Sequence, residues 1–137
     1  MTRVVLDASV IAKLFSPEEE RHHEQAEQML DALDRGELSL LGPELVMLEV
    51  LNVAARKWSF EEPELIVLAQ AMRDLDIDLH EVELDRVAAW AGAGLSAYDA
   101  AYVAVAEAER VPLVTDDAQI VRLAPDIAVP LASYREP

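Results

Sequence analysis

The feature that most limits what this chain can fold into is a repeated alternation, in which short apolar runs are each followed at once by helical periodicity. Arg3-Val4-Val5-Leu6 is the first run, stopped abruptly by Asp7, and helix-forming residues continue from Ala8 to Phe15. Ser16-Pro17-Glu18-Glu19 carries a capping Ser, a first-turn Pro and a Glu three residues after the Ser, which predicts a second helix running through Leu33 and closed by Gly36. A second strand is expected at Leu38 to Leu41, broken by Gly42-Pro43, then helices to about Trp58 and over Glu61 to Leu75. Near-alternation of Leu75, Ile77, Leu79, Val82 and Leu84 predicts a third strand around residues 79–83, with Leu75 and Ile77 on one buried face. A short helix over Asp85 to Ala91, a long one over Ala97 to Glu109 opened by Ser96, a strand at Val111 to Thr115, a helix at Asp117 to Leu123 and a strand at Ile127 to Leu131 complete the pattern. Strands that alternate with helices at this spacing call for parallel crossover units. The expected architecture is α/β: a single domain over 1–137, a three-layer sandwich around a parallel sheet of four to five strands.

Composition narrows the class further. Apolar residues make up 53% of the 137 and aromatics 5%, so the chain folds, around a core of Ala, Leu and Val. It has no Cys, which removes disulfide scaffolds, thiolate zinc sites and cysteine nucleophiles. The run ended by Asp7 is far too short for a signal-peptide core or a membrane span, and a soluble cytoplasmic protein is expected. Its 11 Lys and Arg against 27 Asp and Glu leave a net charge of −16, which taken alone argues against a polyanionic partner.

The positions of the acids change that inference. In an open parallel sheet, ligands bind beyond the carboxyl ends of the strands, where the crossover helices also begin. Asp7 ends the first strand, Asp116 and Asp117 follow the fourth, Asp99 lies in the first turn of the helix opened by Ser96, and Glu49 lies early in the helix after Pro43. Each has a plain structural role open to it: Asp7 and Asp116 as caps of the following helices, Asp99 in a capping box, Glu49 on a polar stripe with Asn52 and Arg56. Those roles do not explain why the acids share an edge. Carboxylates gathered in one cleft repel each other and hold protons more tightly unless a cation relieves them. Oxygen ligands without His or Cys suit Mg²⁺, with Mn²⁺ as a substitute, and such sites perform phosphate chemistry.

Four segments, Val4-Val5-Leu6-Asp7-Ala8-Ser9, Pro43 to Asn52, Leu95-Ser96-Ala97-Tyr98-Asp99-Ala100-Ala101-Tyr102 and Pro112-Leu113-Val114-Thr115-Asp116-Asp117, occur in the order and spacing that resemble the PIN domain. The likeness is to the VapC-type toxins of bacterial toxin–antitoxin pairs and covers essentially the whole chain. It implies a Mg²⁺-dependent endoribonuclease that cleaves RNA with metal-activated water, inhibited by a cognate VapB-type antitoxin and commonly dimeric. By motif position it places the catalytic, metal-holding acids at Asp7, Glu49, Asp99 and Asp117, with Asp116 a candidate fifth, and supporting polar groups at Ser9, Asn52 and Thr115.

Asp74, Asp76 and Asp78 imitate a calcium loop, but Leu79 stands where such a loop needs Gly. His22 and His23 read as surface residues able to pair with Glu19 or Glu27, and Trp58 and Trp90 as core or dimer-interface anchors rather than base-stacking platforms. A haloacid-dehalogenase-like phosphatase needs a second acid two residues after the first, where this chain has Ser9, and a phosphate-accepting receiver domain needs an acid pair and a late Lys that are missing. A PIN-like domain that only binds a protein partner is the non-catalytic alternative. The net charge also divides unevenly: residues 61–85 hold nine acids and one base, a net −8, and the four site acids hold −4. One or two divalent ions would offset about +2 to +4 at the site, so RNA is expected to approach away from residues 61–85.

Overall fold

The computed structural model describes residues 1–18 and 21–135. Five strands form one parallel sheet: β1 (Thr2–Leu6), β2 (Leu38–Pro43), β3 (Asp78–His80), β4 (Leu113–Thr115) and β5 (Ala128–Pro130), in the order β3-β2-β1-β4-β5. Between them run α1 (Ala8–Phe15), α2 (His23–Asp34), α3 (Leu45–Arg56), α4 (Glu62–Asp74), α5 (Leu84–Gly92), α6 (Ala97–Glu109) and α7 (Ala118–Leu123), with a closing 3₁₀ turn at Leu131–Ser133. From β1 the chain steps one way to β2 and β3, then returns past β1 to β4 and β5. Right-handed crossovers therefore put α1 to α4 on one face and α5 to α7 on the other. Contacts agree: α1 packs on α2 and α3, α3 on α4, and α5 on α6, which lies across β1, β2 and β4. The expected three-layer parallel sandwich is the observed one.

The core follows from small side chains. Val4, Val5, Leu40, Leu41, Leu113 and Val114 of the central strands are fully buried, and so is every residue of α6 from Ala100 to Ala106. Alanines on both sides of α6 let it lie close against the sheet. Tyr102 is the largest side chain enclosed there. Among the described residues no helix is long and apolar enough to cross a membrane.

Three local expectations are corrected. The second helix starts at His23 rather than at Ser16, because Ser16 instead ends α1 and His22 adopts a left-handed turn (φ 62°) that sets the entry to α2. Glu18 N–H does close on Ser16 Oγ at 3.3 Å, but Glu19 lies outside the described residues. The third strand is Asp78–His80, earlier and shorter than expected. Leu75 caps α4 and Asp76 turns the chain with φ 53°, so Leu75 and Ile77 pack against the core from outside the strand, while Leu79 within it is 40% exposed. Finally, β2 continues through Gly42 and Pro43, which pair with Leu79 and His80.

Candidate active site

The strand order reverses between β1 and β4, and a crevice opens beyond their carboxyl ends at such a switch point. Register makes the geometry local: Val5 aligns with Leu113 and Leu6 with Val114, which brings the next residues, Asp7 and Thr115, side by side. Asp7 is 5% exposed and Thr115 0%. The Thr115 hydroxyl donates to Asp7 Oδ2, Ser9 Oγ donates to Oδ1 at 2.6 Å, and Val10 N–H donates to Oδ1 at 3.2 Å. Asp7 thus caps α1 and at the same time faces the crevice. Burial outweighs these donors and, helped by the charge of Asp99, raises its pKa from 3.8 to about 6.

The other acids arrive from separate elements. Asp99 sits in the first turn of α6, whose cap is Ser96, with Asp99 N–H donating to Ser96 Oγ at 3.0 Å. Burial and then the charge of Asp117 raise the Asp99 carboxyl. Glu49, one turn into α3, is raised by burial and by Asp99, against a hydrogen bond from the Tyr102 hydroxyl at 2.5 Å. Asp117 caps α7, accepting from Gln119 N–H at 2.8 Å and Ile120 N–H at 3.4 Å, while its own N–H donates to Thr115 Oγ1 at 3.0 Å. The cap of α7 is therefore Asp117 and not Asp116.

Asp7, Glu49, Asp99 and Asp117 form an electrostatically linked set, with Asp99 acting on Asp7 and Glu49 and Asp117 acting on Asp99. Asp116 faces elsewhere: its oxygens lie 3.4 Å from Lys13 Nζ and 3.6 Å from His22 Nε2. His23 pairs with Glu27 at 3.0 Å, as the sequence suggests. Asn52 is exposed on α3, one turn beyond Glu49. Sequence reasoning missed Tyr102 as a site residue. Its signal was the three-residue step from Asp99, which puts both side chains on one face of α6.

The donors suit a hard divalent ion in kind, being oxygens alone, and three of the carboxyls are raised, which a cation would reverse. Among the described residues, however, no three His, Asp or Glu side chains are drawn together as a finished metal site. Repulsion between uncompensated carboxylates favours that spacing.

Fold and site together define an α/β sandwich with a desolvated acidic crevice at the sheet's switch point. The chain belongs to the PIN domain family, whose model matches residues 4–125. A comparison with curated proteins gives no match. Among solved structures it is similar to FitAcB from Neisseria gonorrhoeae, at 18% identity over 96% of this chain and 99% of that one, with a TM-score of 0.68. It is also similar to PAE2754 from Pyrobaculum aerophilum (21% identity, 96% and 92% covered, TM-score 0.64). A toxin–antitoxin complex from Klebsiella pneumoniae matches at 21% identity, 92% and 95% covered, TM-score 0.62. At these identities the likeness is one of fold.

Proposed function

We propose that this PIN domain is a Mg²⁺-dependent endoribonuclease, the toxin of a toxin–antitoxin pair. The observation that carries the reading is Asp7, buried at the end of β1 beside the switch point, with a pKa raised by that burial and by the charge of Asp99. Without a counter-ion such an arrangement only costs stability, and three further elements supply acids around it.

Asp7, Glu49 and Asp99 would hold the principal ion, with Asp117 helping through water or a second ion. A bound divalent ion supplies activated water and neutralises charge on the scissile phosphate, giving 5′-phosphate and 3′-hydroxyl ends. The chain's own residues prepare the site. Ser9 and Thr115 fix both oxygens of Asp7, and Tyr102 fixes Glu49. Thr115 also ties Asp7 to Asp117 by accepting the Asp117 N–H.

A VapB-type antitoxin is the partner this reading requires, and the similar structure from Klebsiella pneumoniae is a toxin–antitoxin complex. The acidic stretch 61–85 offers a surface for a basic antitoxin tail. Leu48 on α3 and Ile66 and Val67 on α4 are exposed on two helices that pack together, which supports a homodimer through that layer. An RNA substrate accords with a cytoplasmic protein.

The test is to express wild type and Asp7→Asn without antitoxin and map new 5′-phosphate ends in cellular RNA. Discrete new ends with wild type alone support the reading. Identical profiles would remove it and favour the second reading, a module that binds a protein partner without turnover, which the absence of a finished metal site among the described residues also fits.

A further inference from the structure

The two edges of the sheet are finished differently. β5 ends at Pro130, which has no backbone N–H to offer a further strand, and the 3₁₀ turn that follows packs against α2. β3 lies on the other edge, with β2 as its one neighbour in the sheet and with Asp78 and Leu79 exposed. Residues 81–83 then belong to no helix or strand, and among the described residues no backbone hydrogen bond reaches Glu81 or Val82. Unpaired backbone groups along an edge are a template for another strand.

A small pocket stands beside this edge, with a volume of about 80 Å³. Val82 and the alanines Ala104 and Ala108 of α6 supply its apolar walls, and Glu81, Glu83 and Glu109 its acids. Free small molecules occupy cavities of roughly 300 Å³ or more, so this one fits a single side chain delivered by a polypeptide. A long basic side chain matches it, with the methylene stem against the alanines and the charged head among the carboxylates. Glu83 is met by Arg86 at 2.8 Å, and Glu109 by Arg3 at 3.5 Å and His80 at 3.8 Å, while Glu81 has no ion pair among the described residues.

We propose that the outer edge of β3 docks an extended, basic segment of a partner protein, which adds to the sheet as a sixth strand and seats one Lys or Arg side chain in the pocket beside α6. The inference rests on the antitoxin reading above for the identity of the partner, and it names where and in which conformation the basic segment binds. Charge decides the occupant. Residues 78–85 hold Asp78, Glu81, Glu83 and Asp85 and no Lys or Arg. Pairing β3 with β3 of a second copy would set these acids against their equivalents, and a nucleic acid is repelled by them. A basic strand gains from the backbone groups and the side chains together, and Leu79, 40% exposed, adds an apolar contact. The pocket lies along Ala104 to Glu109, the end of α6 remote from Asp99, so a segment docked here anchors the partner and leaves the acidic crevice open.

The experiment titrates the full chain with a short labelled peptide that alternates Lys with Val, followed by fluorescence anisotropy. Its control is the same peptide N-methylated at alternate residues, which keeps the charge and removes the donors that pair with a strand. Saturable binding of the first peptide is expected, with the control about tenfold weaker for the loss of two or more hydrogen bonds. Glu81→Gln, at an exposed position, should weaken binding about threefold, and Glu62→Gln on α4 should leave it unchanged. With the peptide bound, amide hydrogen exchange should slow over Asp78 to Val82 and stay the same in β5. No binding, equal binding of the two peptides, equal losses in Glu81→Gln and Glu62→Gln, or unchanged exchange in β3 would overturn the proposal and leave the acids as a shield against self-pairing. The two readings fail separately. Peptide binding by a chain that produces no new RNA ends refutes the toxin and keeps the docking edge, and new RNA ends without peptide binding do the reverse.

Discussion

The acids at the carboxyl edge of the sheet and those in residues 61–85 are the same chemical groups under opposite conditions. All nine acids of the segment are exposed. Several make local contacts only: Glu64 accepts from Glu61 N–H at 2.9 Å, Asp74 from Gln70 at 3.0 Å, and Glu83 from Arg86 at 2.8 Å. Water screens such groups, and each is worth little. At the edge, Asp7, Glu49 and Asp99 are wholly or partly desolvated and feel one another, and all three carboxyls are raised. The difference teaches that the count of acids says little about a site. Burial and convergence turn negative charge from a solubility feature into a reactive one.

The sharpest way to break the contrast is to neutralise one acid at the edge. Asp7→Asn should lower RNA cleavage by about 10³-fold in a purified assay, while Asn keeps the cap on α1. The same variant should remove a pH dependence of stability. Asp7 in the folded chain titrates near 6 and in the unfolded chain near 3.8. Between those values the native state holds more protons, so stability falls as pH rises from about 4 to about 6 and is level above, a loss on the order of 3 kcal/mol. Urea unfolding across that range should show the full fall in wild type and a shallower one in Asp7→Asn, where the Glu49 and Asp99 carboxyls remain raised by burial.

Tyr102→Phe should act next, lowering cleavage about tenfold without unfolding the chain. Because the phenol lowers the Glu49 pKa, its removal should move the acid limb of the pH–rate profile to higher pH. An unchanged profile would show that Tyr102 serves packing alone. The smallest effect belongs to the exposed segment. Glu62→Gln, Glu81→Gln and Asp85→Asn together should change cleavage by less than about twofold and stability within about 0.5 kcal/mol, while altering the salt dependence of antitoxin binding. A larger loss of cleavage than of antitoxin affinity would erase the distinction between the two regions.

The sequence made the frame legible because it is written in local signals. β-Branched residues stop at Asp7, Ser96 and Asp117 stand one residue before α6 and α7, and the placement of acids at one edge follows from parallel topology. What it hid depends on contacts between distant residues. The Tyr102 bond to Glu49 spans 53 positions, and the pocket beside β3 exists only where α6 passes it. The misread entry to α2 shows the converse: a correct local signature at Ser16 was overridden by the turn at His22. Asp116 and Asp117 are adjacent and alike in sequence, yet one faces Lys13 and the other caps α7, a choice that packing makes.

The most direct measurement is thermal unfolding with and without Mn²⁺ in three proteins: wild type, Asp7→Asn, and the variant neutralised at Glu62, Glu81 and Asp85. A cation that binds the folded site and not the unfolded chain raises the melting temperature, the more so the further its concentration exceeds Kd. The account predicts a clear rise in wild type, its loss in Asp7→Asn, and its retention in the segment variant. No rise in wild type, or a rise that survives Asp7→Asn and disappears with the segment acids, would contradict it.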